Sequence, residues 1–173
     1  GSYLYSEADN NNASYAAQVI TTSGIGTFDQ ISLEKYLTGK ELGISPYIGS
    51  YREGMNGATS VEDQETFFQL LYLYFTQPRL DKEAFASFKS KRMAMLKNVL
   101  SDPQRYFNIE SNKIKTNNHP RTKFTTAEDI DKLDLDRVFS IYKERFSNAG
   151  DFAFFFTGSF TPESIKPFIE QYI

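Results

Sequence analysis

The chain has 173 residues, rich in aromatics with 16 Phe and 11 Tyr but no Trp, and a net charge of −3. Such a length fits one domain with a sizeable core, and the acidic balance argues against a nucleic-acid binder, whose electrostatic footprint is basic. The lack of cysteine excludes disulfides, thiolate metal ligands and cysteine nucleophiles, and no apolar run approaches the roughly 20 residues of a membrane helix or follows a basic segment as in a signal peptide.

In chain order, Tyr3-Leu4-Tyr5 reads as the remnant of a strand. Asn11 or Asn12 can cap a helix running through Tyr15, Ala16, Val19 and Ile20 to a stop at Ser23-Gly24. Asp29 caps a second helix bearing Ile31, Leu33, Tyr36 and Leu37, which Gly39 ends. Ile44 to Tyr51 reads as a strand, and Glu53-Gly54 and Asn56-Gly57 mark turns before a return strand near Ala58-Thr59.

The hairpin leads into Val61–Arg79, the stretch that organises the rest. Ser60 and Asp63 start a helix, with Glu62 and Asp63 where the helix dipole favours negative charge, and Pro78 stops it. Phe67, Leu70, Leu71 and Tyr74 recur at helical spacing, Phe68 and Phe75 widen the stripe, and Tyr72 and Leu73 leave almost no polar face. A helix apolar nearly all round is expected to be buried between other elements.

Asp81 caps a helix carrying Phe85, Phe88, Met95 and Leu96, with Lys82, Lys89, Lys91, Arg92 and Lys97 reading as a solvated face rather than a binding one. Ser101, Pro103 and Gln104 open another, with Tyr106, Phe107, Ile109 and Ile114 on its apolar side, and Lys115–Lys123 is a polar loop. Thr126 opens a short turn, and Asp134 opens a helix with Leu135, Val138, Phe139, Tyr142 and Phe146 that Gly150 breaks. Phe152–Phe156 is too short for a helix and reads as an interior strand. Thr161-Pro162 starts a last helix, in which Pro167 is expected to cause a kink or delay. About six helices stand against roughly four strands, so a wider sheet is expected, completed by strands that precede this chain.

Catalytic equipment is sparse. The single histidine, His119, lies in the loop Asn118-His119-Pro120, whereas a catalytic zinc normally has three protein ligands. No G-x-S-x-G elbow is present, and neither Gly24-Ile25-Gly26 nor Gly54-Met55-Asn56-Gly57 is a phosphate-binding pattern. Glu7, Asp9, Glu53, Glu62, Asp63 and Glu65 all sit near turns and caps, where each has a structural explanation. From the residues alone, the catalytic and metal-ligand sets are empty, and the substrate contacts are unassigned.

The order of motifs carries more. Leu37-Thr38-Gly39-Lys40, Glu53-Gly54 with Gly57, Leu71 to Thr76 with Pro78-Arg79, Asn118-His119-Pro120-Arg121 and Asp151–Gly158 follow one another across nearly the whole chain. In that order they resemble the insulinase/pitrilysin-like zinc metallopeptidases, and in particular the first domain of the C-terminal half of the large single-chain bacterial members. The resemblance implies an α/β (α+β) fold, an antiparallel-rich sheet covered by helices as in the mitochondrial processing peptidase-like metallohydrolases. It also implies that residues 1–173 form a single domain with its first strands missing. The family's zinc helix bears His-x-x-Glu-His; the matching stretch here is Tyr15-Ala16-Ala17-Gln18-Val19, with Gln18 about where the general base would stand. Alanine and valine cannot ligate zinc, and glutamine cannot take up a proton.

The resemblance therefore implies a non-catalytic copy of the fold, enclosing a peptide-binding chamber and packing on the catalytic half of the same polypeptide. It implies no cofactor in this segment, zinc in the N-terminal domain of the parent, a peptide substrate and a periplasmic parent. The alternative is a non-proteolytic scaffold of the same fold. An unrelated hydrolase using His119 is a third reading, which predicts activity from this segment alone.

Overall fold

In the computed structural model, which describes residues 1–173, the helix α1 (Asn10–Ser23) is the element around which the others pack. Ala13, Ala16, Ala17, Val19 and Ile20 are buried along it, and small side chains let neighbouring backbones come close. Its neighbours are α7 (Leu135–Phe146), α4 (Lys82–Val99), α2 (Gln30–Tyr36) and the strand β1 (Leu42–Ile48). The helix begins earlier than the asparagines suggest. Asp9 is its N-cap without a side-chain bond, and Asn12 instead uses its Oδ1 to accept from the Asp134 N–H at the start of α7 (3.0 Å). Gly24 ends it at φ +89°, a conformation that an L side chain rarely adopts.

β1 pairs antiparallel with β2 (Glu53–Thr59), from Leu42 opposite Thr59 to Ile48 opposite Glu53. The chain reverses at residues 49–52, so Glu53-Gly54 and Asn56-Gly57 are not turns but lie inside β2. Their glycines answer a need for space. A Cβ on Gly54 would sit 2.8 Å from the Tyr47 hydroxyl, and one on Gly57 would sit 2.5 Å from the Phe67 ring.

The helix α3 (Gln64–Thr76) follows, stopped before Pro78, and its apolar circumference has a specific cause. Leu70 and Tyr74 belong to the main core, with α1, α4 and α7, whereas Phe67, Phe68 and Leu71 form a second core with Ile165 of α8 (Pro162–Tyr172). One helix thus serves two cores. It is not enclosed on every side, because Tyr72 is 41% exposed. An aromatic ribbon joins the cores: Tyr142 stacks on Phe146 (4.5 Å between centroids) and Phe146 on Phe152 (5.5 Å), while Phe75 meets both Phe152 and Phe154. Phe68 then lies between Phe156 and Phe168, with centroids 5.4 and 5.5 Å away.

Five helices start on the caps the sequence offers. Asp29, Asp81 and Asp134 accept from backbone N–H groups of their first turns, Thr126 forms a capping box with Asp129 over α6 (Ala127–Asp131), and Thr161 forms one with Ser164 over α8. At α5 (Pro103–Lys115) the cap is Asp102 rather than Ser101. Asp63 precedes α3 but is engaged elsewhere, accepting from the Glu41 N–H (2.9 Å), the Ser60 hydroxyl (3.0 Å) and Lys40 (3.2 Å).

Two further expectations fail. Tyr3-Leu4-Tyr5 is no strand, since Ser2–Leu4 is a 3₁₀ turn docked on the hairpin end through the Ser2 N–H to the Gly49 carbonyl (2.8 Å). Phe152–Phe156 is extended but joins no ladder; Phe152, Phe154 and Phe156 turn toward the protein while Phe155 is 88% exposed. Pro167 lies inside α8, which starts at Pro162 and runs to Tyr172, so it does not delay the helix. The fold is mixed α and β, with a two-stranded antiparallel sheet and eight α-helices. None of its helices is long and apolar enough to cross a membrane.

Candidate functional site

Along α1, Tyr15, Ala16, Ala17 and Val19 are buried and Gln18 is exposed. The buried members are committed to packing: the Tyr15 ring meets Phe88 edge-on (6.0 Å) and lies beneath the Arg92 guanidinium (5.6 Å). The alanines are buried in a helix packed on α7 and β1, where a larger ligating side chain would displace the core. The stretch expected to match a zinc helix does not suit a metal, by chemistry or by space. No three His, Cys, Asp or Glu side chains cluster anywhere in the fold as a metal site would require.

His119 is exposed at the head of a 3₁₀ turn, Pro120–Thr122, and its Nδ1 accepts from the Arg121 N–H (3.3 Å). It makes no hydrogen bond to a serine or a carboxylate. The neighbouring Arg121 fastens the chain instead. It donates to the Tyr5 carbonyl (2.7 Å) and covers the Tyr3 ring at 4.8 Å, holding the N-terminal turn against the body. Within α4, Lys89 pairs with Asp131 and Arg92 with Tyr15, whereas Lys91 and Lys97 are exposed, so the cations do not converge on one target.

A cleft of about 640 Å³ opens between the first turn of α1 and residues 120–133, lined by Asn10, Asn11 and Asn12, Arg121, Lys123 and Asp129 among others. Burial alone would raise the Asp129 pKa, but the Thr126 N–H and hydroxyl bond to the carboxylate and bring it below the usual range. It is an anion at neutral pH and no proton donor. Ser14 lines the cleft with Glu7 and Asp129 and makes no hydrogen bond to either.

The acidic residues have partners of the structural kind. Asp9 binds Arg137 through Nε (3.0 Å) and Nη2 (2.9 Å), which holds its carboxyl below the usual range. Glu53 is partly buried, which favours its neutral form, but the Gly1 amino group and Arg145 outweigh burial and lower its pKa. Tyr5 is pushed up to about 12 by burial, then by its hydrogen bond to Glu144 (2.9 Å). Glu62 and Glu65 lie at the start of α3, and Glu65 accepts from the Tyr172 hydroxyl (3.3 Å). Glu62 is exposed and makes no hydrogen bond or ion pair, and the other carboxylates fasten elements; they do not converge as an acid and a base.

One feature has no signal in any single motif. The free edge of β2, the extended segment 152–157 and α3 enclose two adjoining clefts of about 470 and 320 Å³, which share Gly57, Phe67, Phe155 and Phe156. Elsewhere α5 buries none of its residues, leaving Phe107 65% and Ile114 83% exposed although its apolar side is well formed.

No family model matches the sequence, and no curated protein matches it significantly. The fold, however, is shared with solved proteases. The periplasmic protease PqqL from Escherichia coli is similar over 85% of this chain, at a TM-score of 0.66 and 18% identity, and the chain spans 16% of PqqL. The E83A mutant of the ferredoxin protease FusC, solved in complex with Arabidopsis ferredoxin, is similar over 79% of this chain, at a TM-score of 0.63 and 18% identity, and 15% of its own length is covered.

Proposed function

We propose that this chain is a non-catalytic domain of an insulinase/pitrilysin-like zinc protease, packing against a catalytic half and closing the chamber that holds a peptide. The observation that supports this reading is α1: the chain has the fold of two proteases far longer than itself, and the helix that the family resemblance sets against the zinc helix is filled with buried alanines and carries no His, Asp or Glu. The exposed apolar side of α5 supports a docking role, because an apolar face of Tyr106, Phe107 and Ile114 suits burial against another domain. On this reading zinc belongs to an N-terminal domain of the parent, and the periplasm, where PqqL acts by its name, is the corresponding location.

The test compares zinc content and peptide cleavage of the 173-residue chain with those of the full-length product of its gene. Zinc and cleavage only in the longer chain are the expected result. Zinc in neither favours a scaffold of the same fold, and stoichiometric zinc in the short chain overturns the reading.

A further inference from the structure

The helix α5 is folded without a core. Its first turn is capped by Asp102, which accepts from the Gln104 and Arg105 N–H groups (2.9 and 3.0 Å), and farther along the Asn112 amide donates to the Thr122 carbonyl (2.9 Å). None of its side chains enters either apolar core. Phe107 and Ile114 stand two turns apart on one side of the helix, both mostly in solvent, with Tyr106 and Leu100 of the preceding turn also exposed. Polar bonds near both ends set the helix in place, and its apolar side is left over.

Charge marks the same region. Residues 97–123 hold six Lys and Arg against Asp102 and Glu110, a net +4 in a chain whose net charge is −3. Lys97 and Lys115 form no ion pair, and Arg105 stands 4.0 Å from Asp102. Glu110 lies between Phe107 and Ile114, about one turn from each, and pairs with Lys113. These charges discriminate among occupants. A second copy placing α5 on α5 would set like charge against like. An anionic lipid surface would draw the cations but would take Glu110 out of water beside negative headgroups. A groove on a folded protein can present a donor to that carboxylate and carboxylates to the cations around it. The chain spans 16% and 15% of the two proteases that share its fold, so a parent of that kind has ample protein surface to offer.

We infer that α5 docks this chain onto the remainder of its parent polypeptide, entering an apolar groove there whose rim is acidic. Phe107 and Ile114 fill the groove as a helix lays its apolar side into one, and Lys97, Arg105 and Lys115 meet the rim. Such docking rests on the proposed domain role and specifies which helix makes the contact and what chemistry receives it.

Amide hydrogen exchange over residues 105–115, in the 173-residue chain and in the full-length product of its gene, tests it. These amides are expected to exchange roughly tenfold or more slowly in the full-length protein. Phe107→Ser with Ile114→Ser should remove that protection, and should leave the thermal midpoint of the short chain unchanged because neither side chain supports its cores. Lys97→Glu with Lys115→Glu should weaken the protection at low salt, and about 1 M salt should weaken it in the native protein by screening. Equally fast exchange in the two native proteins would overturn the docking, while zinc in the longer one left the domain role standing. Protection of α5 in a full-length protein without zinc would do the reverse. Protection indifferent to both charge and salt would overturn the acidic rim. Protection of the short chain alone, by phosphatidylglycerol vesicles or by raised protein concentration, would also overturn the docking, since the occupant would then be a lipid surface or a second copy.

Discussion

The Tyr142 hydroxyl donates to the Tyr74 carbonyl across the main core, at 3.1 Å and out of solvent. That carbonyl lies in the last turn of α3, and the residue four places on is Pro78, which has no N–H to offer. The proline that ends the helix therefore orphans an acceptor, and a tyrosine from α7 satisfies it. Burial pushes the Tyr142 pKa strongly upward, so the hydroxyl keeps its proton. Tyr142→Phe is expected to cost about 1–3 kcal/mol, the usual penalty for a buried group left unpaired. Urea unfolding measures it; an unchanged midpoint would mean that the carbonyl finds another donor.

Leu71 and Tyr72 are neighbours on α3 with opposite environments. Leu71 is buried in the second core beside Ile165, and Tyr72 is half-exposed with its ring edge-on to Tyr172. Leu71→Ala should cost roughly 2–5 kcal/mol and Tyr72→Ala much less, since only the first leaves a cavity. Equal costs from chemical denaturation would contradict the burial of the two faces.

Gly57→Ala and Gly43→Ala separate steric need from strand propensity in the same hairpin. The added methyl at Gly57 meets the Phe67 ring at 2.5 Å and the Gly43 carbonyl at 2.8 Å, whereas at Gly43 nothing lies within 4 Å. The first is expected to destabilise by about 1–3 kcal/mol as overpacking does, and the second to be near neutral. Thermal midpoints of the two variants give the comparison directly.

Glu53 links β2 to α7 through Arg145, whose Nε donates at 2.8 Å. Its folded pKa lies below the ordinary glutamate value of 4.5, so the pair contributes stability in full above that value and loses it as pH falls through the folded pKa. The unfolding free energy should fall as the solution is acidified below about pH 4.5, and more steeply than in Glu53→Gln, which has no proton to take up. Parallel acid profiles for the two proteins would remove this pair as a cause of acid sensitivity.

Much of the helical framework is legible in the sequence because its signals are local. Asp29, Asp81, Thr126 and Asp134 cap as their side chains permit, and Gly24 and Gly39 take positive φ at helix ends. The hairpin turn is not, because Gly54 and Gly57 look like turn residues but are small to admit Tyr47 and Phe67, a tertiary demand no local pattern encodes. Phe152–Phe156 shows the same limit: extension can be read from a short apolar run, pairing cannot, since its partner would lie elsewhere. α5 has an apolar side by spacing and no core to meet it. As for the candidate site, the missing ligands of Tyr15–Val19 can be read residue by residue. The clefts beside β2 cannot, because they arise only when β2, α3 and residues 152–157 meet.

The ribbon of rings from Tyr142 to Phe168 also governs how the molecule comes apart. Because α3 contributes to both cores and Phe68 touches rings from two later segments, α8 cannot detach without unpacking the helix that also supports α1 and α7. The two cores are bound into one cooperative unit. Heating should therefore give a single calorimetric transition whose van't Hoff and calorimetric enthalpies agree, rather than an early loss of the C-terminal helix.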